Sequence, residues 1–439
     1  MQPSYEVPGV HLPSPTAAST YRKITWRLIP FLCLCYLAAY LDRINIGLAK
    51  LQMSVDLNFS ETVYGLGAGL FFVGYVFLEV PSNLLLHRFG ARLWISRIMV
   101  TWGALSMCTM LVTTPTQFYV VRFLLGAAEA GFLPGVLLYL TQWYPPKLRA
   151  RAVGLFMMGL PLASLVGNPL SGWIMDAFAG RHGWAGWQWL FFLEGIPSIA
   201  LGVLVLLLMP RDAQSATWLS THEKAALRDE LARHPPAIEH EGVGAALRNR
   251  HVWVLSIVNM TLAIIIYVIG FWLPTIIRES GVHGSLHIGL LTAIPSVAAI
   301  GLMMVLAAHS DKRHERRWHL IVPLFVAGVC IAVAAGHLSS TVITLTLLTV
   351  ANACIFAAFP VFWAIPGSLL KGRAAAAGIA LINSVANLGG FFATFLIGWI
   401  KDMTHSVGTG LVVFAGLAMV GCVLTWMLPA SVINRDKAD

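Results

Sequence analysis

The chain has 439 residues, of which 57% are hydrophobic and only 11% charged, and its formal net charge is +9. Soluble domains carry about 25% charged residues, so this composition, with a mean hydropathy of +0.75, excludes an ordinary soluble protein. The basic residues are spread over short polar segments and do not cluster on one soluble face, which argues against a nucleic-acid partner. The composition therefore predicts an integral membrane protein.

A polar tail over residues 1–20 precedes the first apolar window. That window is longer than the core of a signal peptide and is not followed by a small-residue cleavage site. We therefore expect the first helix to remain in the protein as a membrane anchor.

Twelve apolar windows follow the tail, each near the length of about 20 residues that crosses about 30 Å of hydrocarbon as a helix. They lie at residues 25–48, 60–86, 92–112, 117–143, 151–177, 187–209, 252–277, 286–308, 319–336, 340–368, 375–400 and 408–428. This pattern predicts an all-α membrane protein with twelve transmembrane helices. Most of the 29 Lys and Arg residues fall in the two tails and the even-numbered loops, so the positive-inside rule predicts cytoplasmic termini.

The longest polar stretch divides the windows into two groups of six. It contains a capping box at residues 220–223, which predicts a short surface helix, and then Pro235-Pro236. We interpret this stretch as a linker that lets two halves move independently. The predicted parts are a cytoplasmic tail (1–20), a six-helix bundle (21–210), a cytoplasmic linker (211–250), a second six-helix bundle (251–430) and a cytoplasmic tail (431–439).

The first window ends in Asp42-Arg43. A charge at bilayer depth costs roughly 2.5–3.5 kcal/mol, so such residues mark a substrate or ion path by default. Neighbours on a helix diverge by about 100°, so the acid and the guanidinium cannot face the same point. Snorkelling of both side chains to the surface is the alternative, but Tyr40 and Asn45 on the same stretch favour a polar cavity.

In the second window Glu79 lies near the predicted cytoplasmic end, one turn below Tyr75. At that depth its carboxylate could reach the basic loop that follows. We therefore assign Glu79 a gating role.

The fourth window contains Arg122 and Glu129, which lie seven residues apart and hence on one helical face, about 10 Å apart along the axis. Gly126 lies between them on the same stripe. One interpretation is an open notch, flanked by a cation and an acid, that admits a small carboxylate. The alternative is a structural pair, with Gly126 and the Gly131-x-x-x-Gly135 pattern allowing close helix packing.

The later windows contribute Trp363, Asn383 and Asn387. A tryptophan inside a span is usually a packing residue, and the asparagines could simply join helices. The six cysteines fall in apolar windows and not at disulfide or metal-ligand spacings. The sequence also lacks a phosphate-binding loop and the His-Glu-x-x-His and Gly-x-Ser-x-Gly motifs. We therefore predict neither an enzyme nor a bound metal or cofactor.

The loops after the second and eighth windows, residues 83–92 and 307–316, resemble a loop signature of the major facilitator superfamily, Gly-x-x-x-Asp-Arg-x-Gly-Arg-Arg. In that superfamily the acid and base of this loop lock the cytoplasmic ends of helices in one state. Both copies are incomplete, and His87 takes the place of the acid in the first. The resemblance implies gating roles for Arg88 and Asp311.

Four further stretches, at residues 40–47, 79–86, 122–131 and 191–197, are similar to the anion:cation symporter family of this superfamily. The family includes bacterial sugar-acid, tartrate and aromatic-acid carriers and the vesicular glutamate and sialic acid transporters. The similarity covers about residues 20–430, and the bacterial tartrate-type permeases are the most alike.

This resemblance implies the major facilitator fold, in which two pseudo-symmetric six-helix bundles rock around a midplane site. It also implies that Arg43 and Arg122 bind a substrate carboxylate, that Asp42 and Glu129 carry protons, and that the site is lined by Tyr40, Tyr75, Trp363 and Asn383.

We therefore expect a monomeric inner-membrane symporter that takes a small hydroxylated carboxylate, such as tartrate or a sugar acid, into the cytoplasm with protons. An exchanger or facilitator of aromatic carboxylates, such as hydroxyphenylacetate or phthalate, is the alternative. A receptor that binds the anion without transport should carry a large cytoplasmic output domain, for which residues 211–250 are too short. Substrate identity, stoichiometry and the direction of exchange stay open.

Overall fold

The computed structural model describes residues 15–232, 247–366 and 372–434. Its α-helices are α1 (Pro15–Asp56), α2 (Glu61–Phe89), α3 (Ala91–Cys108), α4 (Pro115–Glu129), α5 (Phe132–Thr141), α6 (Pro146–Met157), α7 (Gly159–Ala177), α8 (Gly186–Leu208), α9 (Thr221–Ala232), α10 (Arg250–Glu279), α11 (Ser285–Arg313), α12 (Trp318–Ala335), α13 (Thr341–Trp363), α14 (Gly372–Thr404), α15 (Val407–Met427) and α16 (Ala430–Ile433).

Within these residues, eleven helical stretches are long and apolar enough to cross a membrane. They coincide with eleven of the predicted windows. The remaining window corresponds to α3, in which Arg92 and Arg97 lower the hydropathy of an 18-residue helix. This helix packs against α8 and α4 as a member of the first bundle. The predicted all-α membrane fold is confirmed.

The contacts between the two bundles follow the predicted internal repeat. The second span of each bundle packs against the fifth span of the other, so that α2 lies on α14 and α11 lies on α7. The first spans, α1 and α10, also pack against each other. A pseudo-twofold relation between halves produces this exchanged pairing, and it leaves room for a site between the bundles.

The fourth span is broken immediately after Glu129. α4 ends at Glu129, and Gly131 adopts a φ of +90° before α5 begins. Only glycine adopts such a φ at little cost. The hydroxyl of Ser82 on α2 donates to the Ala130 carbonyl at 2.6 Å and so satisfies an acceptor at the break. As a result Glu129 lies at the carboxyl end of a helix, beside the gap between the bundles.

At one end of the molecule, four charges form what we call the inter-bundle ion cluster: Lys50, Glu61, Glu279 and Lys401. Glu61 on α2 lies 2.5 Å from Lys50 Nζ and 2.6 Å from Lys401 Nζ on α14. Lys401 also lies 2.5 Å from Glu279 on α10. Glu61 and Lys401 therefore supply a direct charge link between the bundles.

Two symmetry-related aspartates close the same end. Asp402 on α14 accepts from the backbone N–H of Thr62 at 2.7 Å, at the amino end of α2. Asp176 on α7 accepts from the backbone N–H of Leu286 at 2.8 Å, at the amino end of α11. Each acid thus caps a helix of the opposite bundle, where unpaired amides and the helix dipole favour a negative charge.

Lys401→Met should loosen this closed end, because it removes the charge link but leaves Glu61 paired with Lys50. We expect a destabilisation of about 1 kcal/mol, roughly a fivefold shift in population, as for a partly exposed ion pair. Spin labels on the exposed residues Val55 and Met403, introduced as cysteines, would report the change as a larger share of long distances. An unchanged distance distribution would mean that the helix caps alone hold this end closed.

The predicted capping box is present at the start of α9. The Ser220 hydroxyl accepts from the Glu223 backbone N–H at 3.2 Å, and the Ser220 backbone N–H donates to the Glu223 carboxylate at 2.7 Å. These bonds, with Lys23 at 3.0 Å, hold the pKa of Glu223 below its usual range. Pro235-Pro236 and the rest of 233–246 lie outside the described residues, so the boundaries of the linker stay a prediction.

Candidate functional site

A cavity lies between the two bundles and holds about 690 Å³ of empty space, including the part open to solvent. Its walls come from α1, α2, α4, α5 and α7 of the first bundle and from α10, α13 and α14 of the second. Five residues predicted for the site line it together with Glu129: Tyr40, Arg43, Tyr75, Trp363 and Asn383. The structure therefore brings these six residues together around one cavity.

Arg43 is the cation of the cavity. One terminal nitrogen, Nη2, forms an ion pair with the Glu129 carboxylate, and the other, Nη1, donates to the Tyr267 hydroxyl at 3.1 Å. The guanidinium also lies over the rings of Phe71 and Tyr75, 5.1 and 5.4 Å from their centroids. Its Nε is buried without a hydrogen-bond partner. Both terminal nitrogens of Arg43 thus have partners within the protein, one an acid and the other a hydroxyl.

The ion pair of Glu129 differs from the predicted one. Sequence spacing paired Glu129 with Arg122 on its own helix, whereas the structure pairs it with Arg43 on α1. Glu129 is the last residue of α4, next to the break, and its side chain reaches Arg43 across the gap between α4 and α1. The acid and the cation of this ion pair therefore belong to different helices.

Arg122 does not line the cavity in this conformation. It is fully buried at 0% exposure, and its three guanidinium nitrogens have no hydrogen-bond partner among the described residues. Its guanidinium lies 5.1 Å from the centroid of the Phe71 ring, the same distance as that of Arg43. The prediction of Arg122 as a cavity-facing arginine is therefore not met here, because Arg122 packs on the ring and not beside the cavity.

The open notch at Gly126 is absent. A Cβ at this position would overlap the backbone carbonyl of Phe71 on α2. Gly126 therefore allows close packing of α4 on α2. This was the alternative interpretation of the helical face that carries Arg122 and Glu129. Gly131 and Gly135 likewise contact Ser82 and Leu86 of α2.

Gly126→Ala should prevent stable folding, because a methyl group cannot be placed without moving the backbone of α2. Overpacking of this kind costs about 1–3 kcal/mol or more. Gly154→Ala is the matched control, since a Cβ at that helical glycine meets nothing within 4 Å. Thermal unfolding of the two purified variants checks the prediction. Normal folding of Gly126→Ala with loss of transport would instead support the interpretation of Gly126 as an open notch for a small carboxylate.

Asp42 faces away from the cavity, into the first bundle. It is buried, at 2% exposure. Its carboxylate accepts hydrogen bonds from Trp102 Nε1 at 3.0 Å, Ser106 at 3.0 Å and Ser198 at 2.6 Å. The divergence expected of neighbours on a helix therefore separates Asp42 from Arg43, and the structure does not bring Asp42 to the substrate cavity.

The predicted gating residues lie in three different settings. Glu79 is buried and accepts from Asn383 Nδ2 at 2.8 Å and from the Ser384 hydroxyl at 2.9 Å, so it joins α2 to α14 and does not bind the basic loop. Arg88 is exposed and lies 5.7 Å from the centroid of Phe89. The side chain of Asp311 lies outside the described residues.

Three polar residues of the cavity were not predicted: Tyr36, Tyr267 and Asn259. Tyr267 and Asn259 lie two turns apart on α10, and these two polar residues in a run of apolar ones could have indicated them. Asn259 is buried at 1% exposure, and its Oδ1 has no hydrogen-bond donor among the described residues. An unsatisfied acceptor beside the cavity favours a ligand that carries a hydroxyl group.

A family model of the Major Facilitator Superfamily matches residues 32–394. The chain is 53% identical over 421 residues to the "Putative metabolite transport protein NicT" of Pseudomonas putida. The matched region covers 94% of this chain and 95% of that protein. It is 44% identical over 418 residues to a "Putative tartrate transporter" of Agrobacterium vitis, with 94% and 92% covered. A solved bacterial homologue of the human lysosomal transporter Spinster has a TM-score of 0.74 at 16% identity, over 94% of this chain and 97% of that one.

The chain therefore belongs to the major facilitator superfamily. It is a multi-pass inner-membrane transporter and not an enzyme.

Proposed function

We propose that this protein is a proton-coupled symporter that carries a small hydroxylated carboxylate, such as tartrate or a sugar acid, into the cytoplasm. The observation that carries the proposal is the pair of Arg43 and Glu129 inside the inter-bundle cavity. Arg43 is the cation that a substrate carboxylate would grip by two parallel hydrogen bonds. Glu129 is the acid that it would displace.

Coupling follows from the charges of this pair. With Arg43 protonated and Glu129 ionised, the pair is neutral. A substrate carboxylate that takes the fork of Arg43 leaves Glu129 as a buried charge without its partner, which is costly at low dielectric. Protonation of Glu129 removes that charge, so anion binding and proton binding favour each other.

Arg122 supplies a second positive charge near the site. Its unpaired guanidinium lies against Phe71, whose ring also contacts Arg43. We propose that Arg122 reaches the substrate carboxylate only after the Phe71 ring moves, and that its charge attracts anions before then. Asp42, with its three hydrogen-bond donors, balances that charge inside the first bundle.

The lining of the cavity supports a hydroxylated substrate. The unsatisfied Oδ1 of Asn259 can accept from a substrate hydroxyl, and Asn387 and the hydroxyls of Tyr36 and Tyr40 also line the space. The second candidate, an exchanger or facilitator of aromatic carboxylates, is favoured by a different observation. Phe359 and Trp363 meet edge to face, with centroids 6.1 Å apart, at the wall of the cavity and could hold a ring.

The transport cycle that we propose is alternating access by a monomer with both termini in the cytoplasm. The inter-bundle ion cluster then closes the outer end, while Glu79, Arg88 and Asp311 control the cytoplasmic end. Glu79 supports this assignment because its bonds to Asn383 and Ser384 join the bundles on the other side of the cavity.

Uptake into proteoliposomes with an imposed inward proton gradient tests the function. We expect gradient-driven accumulation of tartrate or a sugar acid, and no uptake of threitol, which keeps the hydroxyls of tartrate but lacks its charge. Accumulation of hydroxyphenylacetate alone would favour the second candidate. Uptake of the anion at the same rate and level with and without the gradient would overturn proton coupling.

A further inference from the structure

A second buried acid, Glu194 on α8, lies in the first bundle and does not line the cavity. It is 4% exposed. Its Oε1 lies 2.5 Å from the Ser171 hydroxyl of α7, and its Oε2 lies 2.9 Å from Asn45 Nδ2 of α1. Glu194 therefore joins three helices of one bundle through polar contacts alone.

The charged group that acts electrostatically on Glu194 from a neighbouring helix is another acid, Asp42 of α1. Among the described residues, no Lys or Arg forms a salt bridge with either carboxylate. Arg122 acts on Asp42 at longer range, and so does Glu129, with the opposite sign. Two adjacent carboxylates in a buried bundle are costly while both are ionised, so one of them is expected to hold a proton.

The hydrogen-bond partners of Asp42 and Glu194 differ in whether they can accept a hydrogen bond as well as donate one. Asp42 Oδ2 accepts from the indole N–H of Trp102, a group that can only donate, so this oxygen is held as an acceptor. Glu194 instead meets a hydroxyl and an amide, and each of these groups can either donate or accept. One oxygen of Asp42 is therefore fixed as an acceptor, whereas both oxygens of Glu194 meet groups that fit the ionised and the protonated form of the acid.

A second observation concerns the side-chain amide of Asn45, which has an unsatisfied hydrogen-bond acceptor beside Glu194. It is 1% exposed, and its Oδ1 has no donor among the described residues, although its Nδ2 donates to Glu194. Rotation of the amide by half a turn would direct Oδ1 at Glu194 Oε2. The amide could then accept the proton of a protonated Glu194, so Asn45 can match either state of the acid.

The position of Glu194 connects it to the moving parts of the fold. Asn45 lies two residues from Arg43 on α1, and α1 packs against α10 of the second bundle. Ser171 lies on α7, which packs against α11 of the second bundle. The two helices that bind Glu194 are therefore helices that form the interface between the bundles.

We propose that Glu194 is a second proton-binding site of the transport cycle, separate from Glu129 and from the substrate cavity. The proposal rests on the proposed proton symport. Glu194 takes up a proton in one conformation and releases it in the other, while Asn45 reorients with it.

The ratio of protons to substrate in proteoliposomes tests this site. The ratio is read from the substrate gradient that just balances a known proton gradient. Glu194→Gln should keep transport and lower the ratio by one proton relative to the wild type. An unchanged ratio in a transporting Glu194→Gln variant would make Glu194 a structural residue. A sodium gradient that drives uptake in the wild type but not in Glu194→Gln would overturn the proton assignment.

Infrared spectra of the purified protein test the protonation state without transport. The wild type should show the C=O stretch of a buried carboxylic acid that disappears as the pH rises, and Glu223→Gln, at the surface, should leave that band unchanged. Asn45→Leu removes one partner of Glu194 and should shift the frequency and the midpoint pH of the band, even if Glu194→Gln does not fold. Absence of a titrating band, or a band unaffected by Asn45→Leu, would contradict the site. A wild type with this band but no gradient-driven uptake would refute only the symport mechanism.

Discussion

Glu129→Gln is expected to exchange labelled for unlabelled substrate across proteoliposomes but to accumulate far less substrate against a gradient than the wild type. The amide imitates the protonated acid, which releases Arg43 for the substrate carboxylate. Binding and reorientation of the loaded carrier therefore continue. Accumulation falls because the variant cannot bind and release a proton at this position, so only a proton bound at Glu194 can still couple substrate to the proton gradient.

The matched control for this variant is Glu223→Gln, which changes an acid of a surface ion pair far from the cavity. It should accumulate substrate like the wild type. Gradient-driven accumulation at the wild-type level in Glu129→Gln would contradict the coupling role. Loss of binding altogether would instead make Glu129 a structural partner that holds Arg43 in place.

Arg43→Lys should lose most of its substrate affinity although it keeps the positive charge. A lysine ammonium lacks the planar fork that grips a carboxylate, and it cannot bind Glu129 and Tyr267 in the geometry that Arg43 uses. Loss of one charge-assisted hydrogen bond costs about 1.5–3 kcal/mol, which corresponds to roughly a 10- to 100-fold larger dissociation constant. Calorimetric titration of the purified variant with the substrate anion measures the change.

Two other substitutions calibrate this result. Arg181→Lys alters an exposed arginine in a connection between spans and should bind substrate like the wild type. Arg122→Lys should lose less affinity than Arg43→Lys, since Arg122 packs on Phe71 and does not line the cavity. A larger loss in Arg122→Lys than in Arg43→Lys would mean that Arg122 is the first to bind the anion.

The sequence predicted the features that depend on composition and on regular helical geometry. Apolar windows located the spans, and the divergence of neighbours on a helix separated Asp42 from Arg43. Features that depend on packing between helices were not accessible in this way. The partner of Glu129 lies 86 positions away in the chain, on a different helix, so spacing within one helix could not identify it.

The break after α4 is a second case of this kind. Gly131 was considered only as a packing glycine within one continuous span, but its positive φ also marks the break between α4 and α5, next to Glu129. A glycine in an apolar run does not by itself distinguish these two uses. Asp176 and Asp402 show a similar limit. Their partners are backbone amides of the opposite bundle, and no pattern of side chains in the sequence predicts such contacts.

The central claim is that a bound anion displaces Glu129 from Arg43 and that Glu129 then takes up a proton. Titration calorimetry in buffers of different ionisation enthalpy measures the protons bound per anion directly. We predict net proton uptake by the wild type, and a value lower by one proton in Glu129→Gln. Equal proton uptake by the two proteins would contradict it.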